Sequence, residues 1–172
     1  MSHELLTDVQ HHEDYREAQF FSPLFQRNVS VHLMDTETPL EYAAVCAAAF
    51  NALNSAQLRQ LYRYSRDYCL DFCEYVGETP PEINQPEDIL PLIQPLALSI
   101  PSISAEEAVQ TAPVIHLELD CDWEPEHGLE WLIRDGQILY VGSCEMLQEW
   151  QPESYYADYA LNYVFGNTYD DL

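Results

Sequence analysis

Residues 129–141 have the sequence LEWLIRDGQILYV, and this stretch gives the clearest indication of the fold. Asp135-Gly136 separates two apolar runs, and an Asp-Gly pair tolerates the positive φ that both positions of a two-residue hairpin turn require. Just upstream, residues 114–121 alternate apolar and polar side chains, which is typical of a strand with one buried face. We therefore predict an antiparallel unit of three strands in this part of the chain.

Segments on either side of this unit complete the predicted fold. Apolar residues in 20–33 predict an N-terminal β-hairpin. Start signals at Thr38-Pro39 and at Asn54 predict two helices, the second ending at Gly77, and a tyrosine-rich helix is predicted over residues 155–165. The predicted class is α+β: an antiparallel sheet, made of the N-terminal hairpin and the C-terminal three-strand unit, packed against a helical hairpin and a C-terminal helix.

The length of the chain favours one domain, residues 1–172, with two less regular parts. Residues 1–17 are polar, include His3, His11 and His12, and predict a loosely ordered lead-in. Residues 78–113 are rich in proline, which lacks a backbone N–H. They predict an irregular connector with a short helical turn and at most one extended edge segment.

The charge balance is strongly acidic and limits the classes of partner. Thirty acidic residues stand against six basic ones, all of them arginine, for a net charge of −24. Such a field repels phosphate backbones and anionic membranes and attracts basic proteins, so we expect no direct nucleic-acid binding and no membrane binding. The acidity is equally consistent with solubility alone, or with a halophilic or acidophilic source.

The expected cellular location is the cytoplasm. The five cysteines are odd in number and lack the spacing of a disulfide framework. The N-terminus has no basic-then-apolar signal pattern, and no apolar run approaches the roughly 20 residues that cross a bilayer.

The densest polar cluster is the segment 120–128, between two predicted strands. Carboxylates and an imidazole on one loop suit a divalent cation or an acid/base pair, with four candidate side chains: Asp120, Asp122, Glu126 and His127. The segment lacks the cadence of a calcium loop, and adjacent Glu126 and His127 are not spaced to face the same way. In the alternative, structural interpretation Asp120 and Asp122 cap the turn, Trp123 anchors it, and Glu126 and His127 shape the entry into the next strand.

No motif for nucleophilic catalysis or phosphate binding is present, so we expect no catalytic residues, no bound metal and no cofactor. The C-terminal region instead mixes acids with aromatic rings. Such side chains combine apolar area with hydrogen bonding and attract basic proteins. The predicted partner-binding residues are Glu149, Trp150, Tyr155, Asp158 and Tyr159.

The segment from Cys121 to Gly128, followed by Asp135-Gly136, resembles a hallmark of bacterial families of unknown function: Cys-Asp-Trp-acidic-x-Glu-His-Gly ahead of a strand and an Asp-Gly turn. The N-terminal strands and the alanine-rich helix also resemble that layout. The resemblance implies a small cytoplasmic accessory protein, and some such families are suspected immunity proteins that neutralise a toxin. It brings no established catalytic residues.

The leading hypothesis is a non-enzymatic binding protein, most concretely an immunity-type inhibitor that masks a basic partner protein such as a toxin. One alternative is a metal-assisted hydrolase using the 120–127 loop. Another is a mimic of the DNA backbone, whose carboxylates occupy phosphate positions on a nucleic-acid-binding protein. The sequence leaves the oligomeric state and the identity of the partner open.

Overall fold

The computed structural model describes residues 4–172 and contains one seven-stranded sheet. The strands lie side by side in chain order, and every neighbouring pair is antiparallel except β3–β4, which is parallel. Their bounds are β1 (Thr7–His11), β2 (Arg16–Ser22), β3 (Arg27–Leu33), β4 (Ile93–Ile100), β5 (Val114–Cys121), β6 (Leu129–Arg134) and β7 (Gln137–Gly142). The predicted α+β class, the N-terminal hairpin and the C-terminal three-strand unit are confirmed.

The two long helices form the connection that the parallel pair requires, because parallel strands cannot be joined by a tight turn. The helices are α1 (Leu40–Asn51), α2 (Ser55–Val76), α3 (Ala105–Ala108) and α4 (Glu153–Ala157), with 3-10 helices at Pro86–Leu92 and Tyr169–Asp171. The predicted ends of α2 are confirmed: Asn54 and Gln57 form a capping box, and Gly77 ends the helix with φ 75°. The helix α1 instead begins after Pro39 without a side-chain cap.

One face of the sheet packs on α1 and α2 and forms the main core. Trp131 on β6 is fully buried there, and its indole N–H donates to the Ser65 hydroxyl on α2 at 2.9 Å. Leu117 on β5 stands opposite Trp131 in the strand register and is fully buried on the same face. The β6–β7 turn is the predicted one, with φ 50° at Asp135 and 75° at Gly136.

The loosely ordered lead-in predicted for residues 1–17 is wrong from Thr7 onward. Thr7–His11 is the edge strand β1, which pairs with β2, and β2 already begins at Arg16. Leu6 is buried against the core, which fixes the start of β1. His3 lies outside the described residues.

The proline-rich connector contains an interior strand rather than an edge segment. β4 pairs with β3 on one side and with β5 on the other. Pro95 lies within it, and the β4–β5 register shifts between Pro95 and Ala97. A bulge at this position accommodates a residue that cannot donate to the ladder.

The C-terminal helix is much shorter than predicted. α4 ends at Ala157, whereas residues 155–165 had the spacing of a longer helix. Leu161 has φ 57°, a left-handed conformation that interrupts any helix.

Beyond α4 the chain covers the free edge of β7. The side-chain amide of the buried Asn162 donates to the backbone carbonyls of Leu139 and Tyr156, both at 2.8 Å. The backbone N–H of Tyr163 donates to the carbonyl of Val141 at 3.0 Å. The edge of β7 is therefore partly satisfied by this segment instead of being left open to another chain.

Candidate functional site

The second face of the sheet, opposite α1 and α2, carries a buried carboxylate that fastens the segment after β7. We name residues 143–151 the C-terminal strap. The side chain of Glu130 on β6 is fully buried. Its carboxylate accepts backbone N–H groups from Glu145 and Met146, both at 2.8 Å, and from Leu147 at 3.1 Å. Three consecutive N–H groups thus bind one anion and fix the path of the strap.

His116 on β5 joins this carboxylate to a second one. Its Nε2 lies 2.8 Å from Glu130 Oε1, and its Nδ1 lies 2.7 Å from Glu149 Oε1 in the strap. Burial disfavours the charged imidazolium, but the hydrogen bonds to Glu130 and Glu149 outweigh it and raise the pKa of His116 to about 9. At neutral pH the imidazole is therefore charged and donates to both carboxylates.

Arg134 holds the end of the strap. Its Nη1 donates to the carbonyls of Glu149 at 2.7 Å and Gln151 at 2.8 Å. The guanidinium also lies 5.8 Å from the ring centroid of the buried Tyr156, whose hydroxyl donates to the Gln148 carbonyl at 2.5 Å. Both ends of the strap are thus anchored to the sheet.

The five predicted partner-binding residues occupy the strap and the segment after it, with different exposures. Trp150 is 43% exposed and Tyr155 37% exposed, and Asp158 is also exposed. The rings of Tyr155 and the half-buried Tyr159 lie 5.9 Å apart. Glu149 differs, because its carboxylate is turned inward to His116. Trp150 borders a separate shallow cavity of about 220 Å³ formed with residues 102–111.

The turn between β5 and β6 is organised by Glu124, which the sequence reasoning passed over. Its backbone carbonyl accepts the N–H of Gly128 at 3.0 Å and the thiol of Cys121 at 3.5 Å. Gly128 has φ 72°, and a Cβ at this position would lie 2.5 Å from the carbonyl oxygen of Leu119. Only glycine fits here, because any side chain would collide with the backbone of β5.

The carboxylate of Glu124 also caps the turn. It is buried and accepts the N–H groups of Glu126 at 2.9 Å and His127 at 3.1 Å, and His127 Nδ1 at 2.7 Å. The hydrogen bond to Glu124 raises the pKa of His127. The interpretation that Asp120 and Asp122 cap the turn is wrong, since both side chains are exposed and Glu124 binds these N–H groups.

The side chains of Glu126 and His127 approach each other, although adjacent residues were not expected to face the same way. One potential ligand atom from each of Glu124, Glu126 and His127 lies within 4.8 Å of the others. This group does not include Asp120 or Asp122, so the four candidate ligands expected from the sequence are not brought together.

This turn forms one wall of a cleft of about 640 Å³. The end of α2 and the C-terminal segment form the rest of its lining. Its carboxylates are those of Glu78, Asp122, Glu124, Glu126 and Glu145, and its aromatic rings are those of Phe72, Trp123 and Tyr169. Trp123 anchors the turn as predicted: it is 6% exposed and its ring meets that of Tyr68 edge-on, with centroids 5.5 Å apart. Its indole N–H has no acceptor within residues 4–172.

Cysteine chemistry has no support at this site. Cys121 is buried under the turn, and burial raises its pKa to about 12. The thiol therefore stays protonated and serves as packing, as the alternation of β5 predicted.

The cluster of Glu130, His116 and Glu149 was not predicted from the sequence. The alternation of apolar and polar residues in β5 and β6 predicted that His116 and Glu130 face solvent. The available signal was the apolar content of β6 and β7. Leu132 and Tyr140 stand on the same face as His116 and are fully buried, and near-continuous apolar strands indicate a sheet covered on both faces.

Comparison with known proteins gives a family but no activity. A family model described as "Domain of unknown function (DUF6985)" matches residues 5–147. No curated protein and no solved structure matches the chain. Within the described part of the chain, none of the helices has the length and apolar character needed to cross a membrane.

Proposed function

The chain belongs to this family of domains of unknown function, and from that premise we propose that it is a non-enzymatic binding protein: an immunity-type inhibitor that masks a basic partner protein. The proposed contact surface consists of Trp150, Tyr155, Asp158 and Tyr159. Glu149, which the sequence analysis counted among the contacts, holds the strap from inside.

The observation that carries the proposal is the anchoring of the strap. Glu130 binds three of its N–H groups, His116 bridges Glu130 to Glu149, and Arg134 binds the carbonyls at its end. The exposed Trp150 follows directly after Glu149. An aromatic side chain held on a fixed backbone loses little conformational entropy on binding, which favours affinity.

The charge supports a basic partner. A net charge of −24 accelerates the encounter with a positively charged protein and disfavours acidic competitors. Two exposed carboxylates, Asp158 within the proposed surface and Glu153 next to it in the chain, suit lysine and arginine side chains at the rim of the contact.

The immunity role itself rests on the resemblance carried by the segment from Cys121 to Gly128. In this chain that segment builds the turn between β5 and β6, and it does not contribute to the strap surface. We therefore assign the segment to folding and the strap region to partner binding.

The first test is affinity capture from the native host with the full chain as bait, washed at low and then high salt and analysed by mass spectrometry. We expect stoichiometric recovery of one basic protein that high salt releases. The purified partner is then titrated against wild type, Trp150→Ala and Tyr155→Ala. Each variant should weaken binding by about tenfold or more, as expected for aromatic anchors.

Tyr75→Ala is the matched control, because Tyr75 is 64% exposed but lies on α2, stacked on Tyr169. It should bind the partner as wild type does. If Trp150→Ala and Tyr155→Ala bind like wild type, the assigned surface is wrong. Competition of the partner by duplex DNA would instead favour the DNA-mimic alternative.

A further inference from the structure

We propose that Glu124, Glu126 and His127 form a binding site for one divalent transition-metal cation of the Zn²⁺ class at the wall of the 640 Å³ cleft. The site goes beyond partner binding, and its three residues are not among the proposed partner-contact residues. One ligand atom from each of the three residues falls within 4.8 Å of the others. Ligand atoms at about 2.0–2.2 Å from one ion lie roughly 3–3.6 Å apart, so the three side chains must adjust to surround it.

Two of the ligands are already held in place. The carboxylate of Glu124 is buried, and two backbone N–H groups of its own turn fix its orientation. Oε1 accepts the N–H of Glu126 and keeps a second lone pair for a cation. His127 Nδ1 lies 2.7 Å from Glu124 Oε2, so these two atoms are already adjacent, and a cation binds between them by displacing the proton that they share.

The donor set indicates which cation suits the site. Imidazole nitrogen favours Zn²⁺ and its first-row neighbours over Mg²⁺ and Ca²⁺, which prefer oxygen ligands alone. Three protein ligands leave at least one coordination position open toward the cleft. Asp122, Glu78 and Glu145 line the same cleft and add negative charge around a bound cation.

Trp123 provides a spectroscopic probe of the site. It lines the cleft, is 94% buried by its 6% exposure, and its indole N–H has no acceptor within residues 4–172. Because the ring lines the cleft next to Glu124, its fluorescence should report the binding of a cation there.

The test is calorimetric titration of the chelator-stripped full chain with Zn²⁺. We expect one tight equivalent for wild type, separable from weak binding to the acidic surface. His127→Gln and Glu126→Gln should each weaken the tight equivalent by about tenfold or more, which is what loss even of an outer-shell partner costs at a metal site.

His12→Gln is the matched control, because His12 also pairs with a glutamate, Glu17, at 3.1 Å but without a third ligand in the described structure. It should retain the tight equivalent. Binding should also change the tryptophan fluorescence, and Trp123→Phe should lose that change while keeping the tight equivalent.

Thermal unfolding identifies any variant that fails to fold. Glu126→Gln alters an exposed side chain and keeps the test valid if His127→Gln is unfolded. The proposal is overturned if wild type shows no tight equivalent, or if folded Glu126→Gln binds Zn²⁺ as wild type does.

Discussion

Replacing Glu130 with glutamine removes one acceptor oxygen from the buried cluster that holds the C-terminal strap. Glu130 Oε1 contacts His116 and the N–H of Leu147, and Oε2 accepts the N–H groups of Glu145 and Met146. An amide nitrogen cannot accept, so in either orientation of the glutamine side chain at least one backbone N–H loses its acceptor, and the buried ion pair with His116 is lost as well.

The expected cost follows from those two interactions. Hydrogen bonds to charged groups contribute about 1.5–3 kcal/mol each, and breaking a buried ion pair costs about 3–5 kcal/mol. We expect Glu130→Gln to lower the free energy of unfolding by about 3–5 kcal/mol, a large part of the 5–15 kcal/mol typical of a domain. Urea unfolding measures this loss, and hydrogen exchange should report faster exchange at the N–H groups of Glu145 and Met146.

Glu118→Gln is the matched control. Glu118 stands directly opposite Glu130 on the same face but is only half-buried, so its replacement should change stability by less than about 0.5 kcal/mol. The reasoning is refuted if Glu130→Gln loses less than about 1 kcal/mol, or if Glu118→Gln loses as much as Glu130→Gln does.

Three other predictions concern stability. Folding raises the pKa of His116 from 6.5 to about 9. The charged imidazole therefore contributes about 3 kcal/mol to the free energy of unfolding below pH 6.5, and this contribution is lost as the pH rises through 9. Urea unfolding across this pH range should show the loss in wild type and not in His116→Gln. Gly128→Ala should destabilise clearly more than Gly77→Ala in thermal unfolding. Both glycines have positive φ, which costs alanine about 1 kcal/mol or more, but only at Gly128 would the added Cβ meet backbone, the Leu119 carbonyl. Asn162→Ala should cost about 1–3 kcal/mol in urea unfolding, because it leaves the buried Leu139 carbonyl at the edge of β7 without its donor; equal stability to wild type would contradict this.

The parts of the fold that the sequence predicted are those with a strong local signal. The Asp135-Gly136 turn is one, because its two positive φ angles suit few other residue pairs. The helix α2 is another, because its capping box and terminal Gly77 mark both ends. Both signals lie in residues that are close together in sequence, although Gln57 also donates to the Gly136 carbonyl at 3.0 Å.

Interactions between distant residues decided the elements that were predicted wrongly. β4 contains Pro95, which argues against an interior strand, yet a bulge allows it to lie between β3 and β5. Residues 155–165 have helical spacing, but the side chain of Asn162 binds the carbonyl of Leu139, a contact between residues far apart in sequence that draws the chain along β7 instead. Local propensity does not contain either contact.

In the candidate sites, too, the local sequence predicted some features, and contacts between distant residues determined the others. The loop 120–128 was recognised as a polar cluster, but which carboxylate turns inward depends on the path of the loop, and Glu124 was therefore missed. His116 and Glu130 looked solvent-facing because alternation describes one covered face, whereas the strap covers the other.

The single parallel pair, β3–β4, has a consequence for the order of folding. In every other neighbouring pair, no long helix lies between the two strands in the chain. Those strands can therefore pair by closing a short loop. β3 and β4 are separated by α1, α2 and a 3-10 helix, and closing so long a segment costs more entropy before any contact forms. The β1–β3 and β4–β7 halves of the sheet should therefore gain their pairing early, and their joining along β3–β4 should limit the folding rate.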